Sequence, residues 1–189
     1  EPEITQLCEF LNSMGANIEG IGTETLIIHG VDELHSADIY IIPDRIEAGT
    51  FLMAGALLGE IEVSDIIPEH LDKVVHKLGE TGCLLKINQK SIIITPPEKI
   101  KSVDMTTAVY PGFPTDLQAQ WVAIMSLSSG YSMVTDTVYH DRFSHIPELS
   151  RLGANIKVEN NTAFIRGENT LVGAPVMSTD IRASASLII

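Results

Sequence analysis

The 189-residue chain is 44% hydrophobic but only 5% aromatic, so Leu, Ile, Val and Ala must fill a core large enough for one sizeable domain or two small ones. Its formal net charge of −13, from 25 acidic and 12 basic residues, argues against nucleic acid, whose phosphates demand basic patches. No apolar run reaches the ~18 residues of a membrane span, no signal peptide opens the chain, and Cys8 and Cys83 lie in apolar segments without a CxxC pattern, which predicts reduced, buried thiols in a cytoplasmic protein rather than a disulfide.

From the N-terminus, PEITQLCEFLNSM (2–14) has helical apolar spacing, with Pro2 in the first turn, where a missing N–H costs nothing. MGANIEGIGTETLIIHG (14–30) runs through a closing Gly15 into strand, turn and strand, and DIYIIP (38–43) predicts a lead-in strand. RIEAGTFLMAGALLG (45–59) is an Ala-rich helix, apolar nearly all round, and EIEVSDI (60–66) a strand after it. PEHLDKVVHKLGE (68–80) is the next helix, and TGCLLKINQKSIIIT (81–95) repeats the glycine, strand, turn, strand phrase. PGFPTDLQAQW (111–121) leads into a second Ala-rich helix, DLQAQWVAIMSLSSG (116–130), followed by the strand YSMVTDTV (131–138). IPELSRL (146–152) is a short helix, LGANIKVENNTAFIRG (152–167) the third copy of the phrase, and DIRASASLII (180–189) the third Ala-rich helix.

Gly15, Gly82 and Gly153 stand 67 and 71 residues apart, and Arg45, Asp116 and Asp180 occupy equivalent first positions of the Ala-rich helices. Such periods exceed the ~20–50 residues of solenoid repeats. The repeating unit is instead a small sheet packed on two helices. The fold class is α/β, with the apolar helices in the middle and the sheets facing outward. A first copy that opens on a helix start and a last that stops inside an apolar helix, without a cap, predict a piece of a longer chain.

EPEI (1–4), PDRIEAGTF (43–51), PGFPTDLQAQ (111–120), HIPELSRLGA (145–154) and STDIRASASL (178–187) together resemble the UDP-N-acetylglucosamine 1-carboxyvinyltransferases of the enolpyruvyl transferase family, from the first residue to the last. The resemblance implies an inside-out α/β barrel: two similar domains, each of three repeated sheet-plus-two-helix units. Residues 1–42 would end the first domain and residues 43–189 form most of the second. It also implies transfer of enolpyruvyl from phosphoenolpyruvate to the 3′-hydroxyl of UDP-N-acetylglucosamine, the first committed step of peptidoglycan synthesis, by a monomer that needs no cofactor or metal and binds neither nucleic acid nor membrane.

That reaction needs a base for the hydroxyl proton, an acid for C3 of the enol ether, and cations for phosphate and carboxylate. The resemblance makes Asp116 the base, held in register by Pro111, Gly112 and Pro114. The local sequence alone favours a helix-start carboxylate, with Thr115 as the N-cap; the resemblance reverses that preference. Substrate-binding roles are implied for Asp116, for the backbone of Val138, for Arg142, for Asp180 and Arg182 of TDIRAS, and for Glu1 and Glu3 of the EPE motif. An ordinary ion pair remains the other reading of Asp180 with Arg182. TDTVYHDRF (135–143) departs from the family pattern: Asp136 replaces a Glu, Tyr139 a Phe, and His140 and Asp141 a Glu-Asn pair. His140 reads as a surface histidine.

The family's general-acid loop, commonly with a cysteine, falls upstream of Glu1, and a further phosphoenolpyruvate-binding arginine downstream of Ile189. Neither Cys8 nor Cys83 matches the catalytic thiol, so these 189 residues alone are expected to be inactive. Two rivals stand beside this reading. One is the sister shikimate-3-phosphate enolpyruvyl transferase, with the same fold and chemistry; the other is a non-catalytic α/β repeat module used for binding.

Overall fold

A computed structural model describes residues 1–178 and 181–189. The chain divides into two compact units, Glu1–Pro43 and Asp44–Ile189.

In the smaller unit, helix α1 (Pro2–Ser13) leads through Gly15 into the antiparallel hairpin of β1 (Asn17–Glu19) and β2 (Ile27–His29). Asn12 ties hairpin to helix, its side chain accepting from the Ile18 N–H and donating to the Ile18 carbonyl, both at 2.8 Å. The strand expected at 38–43 is absent. Gln6 claims the backbone groups it would have used: its carboxamide donates to Tyr40 O at 2.8 Å and accepts from Ile42 N at 3.2 Å. An extended segment bonded to a side chain has no ladder to join.

The larger unit is built from two fuller versions of the same phrase. Helix α2 (Arg45–Leu58) precedes β3 (Ile61–Ser64); a 3-10 turn (Pro68–Leu71) and α3 (Asp72–Glu80) lead to β4 (Leu84–Ile87) and β5 (Ser91–Thr95). The three strands form an antiparallel sheet in the order β3-β5-β4. Next come β6 (Met105–Thr106), a 3-10 turn (Thr115–Leu117), α4 (Gln118–Ser126), β7 (Tyr131–Thr135), α5 (Ile146–Arg151), β8 (Asn155–Glu159) and β9 (Thr162–Arg166). These strands make a mixed sheet, β6-β7-β9-β8, in which β6 and β7 are parallel and α4 is their crossover. Helix α6 (Ile181–Ile188) ends the chain's described elements and packs on α4.

The three phrase-closing glycines share one conformation, with φ of 98° at Gly15, 99° at Gly82 and 97° at Gly153. Only glycine enters that left-handed region freely, and it is the geometry that turns a helix end into the following strand.

In the larger unit α2 and α4 lie inside and the sheets outside. Every residue of α4 is buried, and α2 packs against it. Along β7 and β9 the side chains alternate: Ser132, Val134, Ala163 and Ile165 face the helices, while Tyr131, Met133, Phe164 and Arg166 face out. The core joins Leu52, Met53, Leu78, Ile92, Ile94, Trp121, Ile124 and Val134. Burial on this scale, at about 25 cal/mol per Å² of apolar surface, holds the unit together. No closed barrel forms among the described residues. Cys8 and Cys83 are both buried free thiols, and no described helix is long and apolar enough to cross a membrane.

Candidate functional site

The segment between β6 and α4 is pinned at several points. Ala108 N–H donates to Phe113 O at 2.9 Å and Gly112 N–H to Val109 O at 2.8 Å. A Cβ on Gly112 would meet Ala108 Cβ at 2.5 Å and Val109 O at 2.8 Å, so the loop can close only around glycine. Phe113 is buried and sets its ring edge-on to Trp121 of α4, centroids 5.5 Å apart. Leu117, also buried, anchors the other side. Between these anchors Thr115 and Asp116 are fixed at the mouth of the α4 helix.

Asp116 is neither the first residue of the α-helix nor a cap. It lies in the 3-10 turn ahead of Gln118, and the residue preceding that turn is Pro114, with no side-chain capping bond. The Thr115 hydroxyl does not cap either; it donates to Asp136 Oδ2 at 2.6 Å. The capping reading of both residues is therefore corrected: tertiary partners have taken both side chains.

Those partners come from the turn after β7 and from α6. Arg142 Nη2 donates to Asp116 Oδ1 at 2.8 Å and Nη1 to Thr115 Oγ1 at 3.2 Å, with its guanidinium 5.9 Å from the centre of the Tyr139 ring. Arg182 Nε stands 3.8 Å from the same Oδ1. Asp116 Oδ2 has no hydrogen bond to any described residue and the side chain is 39% exposed, so one oxygen is held and the other is open. The two arginines, though not Asp116 itself, are among the residues that line an open cavity of about 700 Å³, with Tyr139, Asp141, Ser144 and Ile181. Two guanidiniums on one wall of so acidic a protein make this a place where an anion can be met.

Of the residues singled out in the sequence, Asp116, Arg142 and Arg182 are thus brought together. Val138 stands in the turn after β7, where its N–H is committed to Asp136 Oδ1 at 3.0 Å, which leaves its carbonyl as the backbone group available to a ligand. Glu1 and Glu3 are exposed residues at the start of α1 in the smaller unit. Asp180 lies outside the described residues. His140 is exposed, as a surface histidine should be.

Sequence reasoning named two residues without giving them a role in the site. Arg45 is buried at the start of α2, its guanidinium 5.3 Å from the centre of the Tyr110 ring; its equivalence with Asp116 in the repeat was the available signal. Asp136 is fully buried and accepts four hydrogen bonds, and its mark in the sequence was its place as an Asp where the family pattern has a Glu. That carboxylate also ends the strand early: by accepting from the Val138 and Tyr139 N–H groups it folds residues 136–139 into a turn, so β7 stops at Thr135 rather than at 138.

Comparison with known proteins gives three findings. The family model described as EPSP synthase (3-phosphoshikimate 1-carboxyvinyltransferase) matches residues 1–189. Curated relatives include the UDP-N-acetylglucosamine 1-carboxyvinyltransferases of Chlorobium luteolum, 48% identical, and of a Synechocystis strain, 50% identical, each matched over 100% of this chain. The chain spans 45% and 43% of their respective lengths. Among solved structures, the enolpyruvyl transferase NikO from Streptomyces tendae superposes with a TM-score of 0.82 at 28% identity, over 100% of this chain and 46% of that one.

Proposed function

The chain belongs to the EPSP synthase (3-phosphoshikimate 1-carboxyvinyltransferase) family, and from that premise we propose that the protein is an enolpyruvyl transferase that moves the enolpyruvyl group of phosphoenolpyruvate to the 3′-hydroxyl of UDP-N-acetylglucosamine. The observation that carries the reading is the divided Asp116 carboxylate: Oδ1 is clamped by Arg142 at 2.8 Å, Oδ2 has no hydrogen bond among the described residues, and both arginines that approach Oδ1 line an open cavity.

The acceptor oxygen attacks C2 of phosphoenolpyruvate, its proton passes to Asp116 Oδ2, C3 gains and later loses a proton, and the bond from C2 to the phosphate oxygen breaks to release phosphate. The main contribution of Asp116 is orientation, which a rigid loop and a clamped Oδ1 supply. Arg142 and Arg182 offset the charge of an anionic substrate, and the Val138 carbonyl is the backbone contact to the sugar nucleotide. Glu1, Glu3 and Asp180 complete the proposed binding set. The acid for C3 is assigned to neither cysteine, since each is buried in its own unit.

In this reading residues 1–42 close one domain and residues 43–189 form most of the next, and the protein is a cytoplasmic monomer feeding peptidoglycan synthesis. The shikimate reaction is the second reading, because the matching family model carries that description; relatives at 48–50% identity named for the sugar nucleotide favour the first. Incubating the full-length protein with phosphoenolpyruvate and each acceptor in turn, with mass analysis of the product, separates them. Enolpyruvyl-UDP-N-acetylglucosamine is expected. A product only from shikimate 3-phosphate would overturn the acceptor, and no phosphate release with either would leave the binding-module alternative.

A further inference from the structure

Beneath the Asp116 site lies a fully buried carboxylate with no counter-cation in direct contact with it among the described residues. Asp136 Oδ1 accepts from the Thr107 hydroxyl at 2.7 Å and from the N–H groups of Val138 and Tyr139 at 3.0 and 2.8 Å; Oδ2 accepts from the Thr115 hydroxyl at 2.6 Å. All four partners donate, the pattern that an ionised, acceptor-only carboxylate satisfies. Its main chain is held as well, since Asp136 N–H donates to Asn161 O at 2.9 Å and Asn161 Nδ2 to Asp136 O at 3.0 Å.

The Thr115 bond sets a direction. A threonine hydroxyl has a single proton, and here Asp136 takes it. The Thr115 oxygen can then only accept, and what it accepts is Arg142 Nη1 at 3.2 Å. Arg142, which can only donate, spends its other terminal nitrogen on Asp116 Oδ1 at 2.8 Å. The chain therefore runs one way, from the arginine through the hydroxyl to the buried carboxylate. Asp136 also fixes the turn that carries Val138 and Tyr139, and the Tyr139 ring is the third group against that guanidinium.

We propose that Asp136 is the positioning residue of this site: by fixing the polarity of the Thr115 hydroxyl, it locks the Arg142 guanidinium between Thr115 and Asp116 and so holds the Asp116 carboxylate in place through Oδ1. Asp136 touches no substrate itself; it acts through Thr115 and Arg142. The activity part of this inference rests on the enolpyruvyl transfer reading, while the locking of Arg142 does not.

The test uses the full-length protein with Asp136→Asn, Thr115→Val, Thr115→Ser and Arg142→Lys, singly and in pairs. Asn at 136 is isosteric but presents an N–H₂ to Thr115, reversing the bond; Val at 115 deletes the relay; Ser keeps it. Misplacement of a catalytic group by about 1 Å lowers kcat by about 10²-fold, and that loss is expected in Asp136→Asn and Thr115→Val, with Thr115→Ser near wild type. In the Arg142→Lys background, Asp136→Asn should add little, because the link it serves is already cut. A purely structural role would instead give additive losses and a lowered Tm. Nitrogen-15 NMR of the Arg142 side chain reads the same lock without turnover. Slow rotation with distinct Nη signals is expected in the wild type and in Thr115→Ser, and averaged signals in Asp136→Asn and Thr115→Val. Wild-type kcat in both disrupting variants, or averaged Nη signals already in the wild type, would overturn the proposal. An inactive wild type with a locked arginine would overturn the transferase reading alone. Should Asp136→Asn fail to fold, the Val and Ser pair at position 115 decides.

Discussion

Asp116→Asn separates a chemical role from a structural one because the two predict changes of different size. The carboxylate makes one ion pair at 2.8 Å with Arg142 and one at 3.8 Å with Arg182, and it is 39% exposed. Pairs so open to solvent are screened and contribute about 0–1 kcal/mol each. Asn keeps an oxygen that can still accept from Arg142 Nη2, so part of even that contribution survives. The expected stability loss is therefore below about 1 kcal/mol, which in a full-length protein more than twice this chain's length shifts Tm by less than the about 2–4 °C of a 150–250-residue protein. Removing a positioned base lowers kcat by about 10²–10⁴-fold, which corresponds to about 3–5 kcal/mol in the barrier. Phosphate release under saturating phosphoenolpyruvate and acceptor, beside a thermal melt of the same full-length preparation, reads both quantities. A fall in kcat of that size with Tm almost unmoved is the expected result. An unchanged kcat would remove Asp116 from the mechanism, and a Tm drop without loss of turnover would restore the helix-start role that the geometry speaks against.

Two further outcomes follow from the core. A Cβ on Gly55 in α2 would lie 2.6 Å from Ile94 Cγ2 and 2.7 Å from Ile61 Cγ1; β-branched neighbours yield poorly, so overpacking of about 1–3 kcal/mol outweighs the helix-propensity gain of about 1 kcal/mol, and urea denaturation of Gly55→Ala should show a lower midpoint, an equal or higher one contradicting the packing. Burial pushes the Cys83 thiol above its ordinary value of 9.0, a hydrogen bond from Thr81 opposing the shift in part. Because the folded value lies above the unfolded one, this contribution to stability is complete below the unfolded pKa and is lost as pH rises through and beyond 9.0. Stability measured from pH 8 upward should therefore fall less steeply in Cys83→Ala than in the wild type, and an identical slope would show that the thiol does not couple to folding.

Much of the fold could be read from the chain because its repeats are written in local signals. A glycine that must take φ near 98° ends a helix wherever it stands, and the alternating residues after it form a hairpin each time. Asp116, Arg142 and Arg182 were legible through resemblance, and the structure gathers them around one carboxylate oxygen. What escaped depends on contacts distant in sequence. Residues 38–43 have strand composition, yet the Gln6 carboxamide occupies their backbone. Asp136 looked like one polar residue in a strand, and its importance comes from Thr107 and Thr115, 29 and 21 positions away. Periodicity carries no information about such partners.

The repeat itself explains how a helix start became a site. In α2 the residue after Pro43 is Asp44, and its side chain caps the helix by accepting from Ile46 N at 2.7 Å and Glu47 N at 3.1 Å. The equivalent residue after Pro114 is Thr115, which could cap in the same way. Instead its hydroxyl turns to Asp136, the first turn tightens to 3-10 geometry, and no side chain caps it. A lost cap costs about 1 kcal/mol. Against that cost stand the bond from the Thr115 hydroxyl to the buried Asp136 carboxylate and the part-buried bonds of Thr115 and Asp116 to Arg142. The second copy thus departs from the α2 solution at the two residues that hold Arg142, where tertiary bonds replace a local cap and one Asp116 oxygen is left without a hydrogen bond among the described residues.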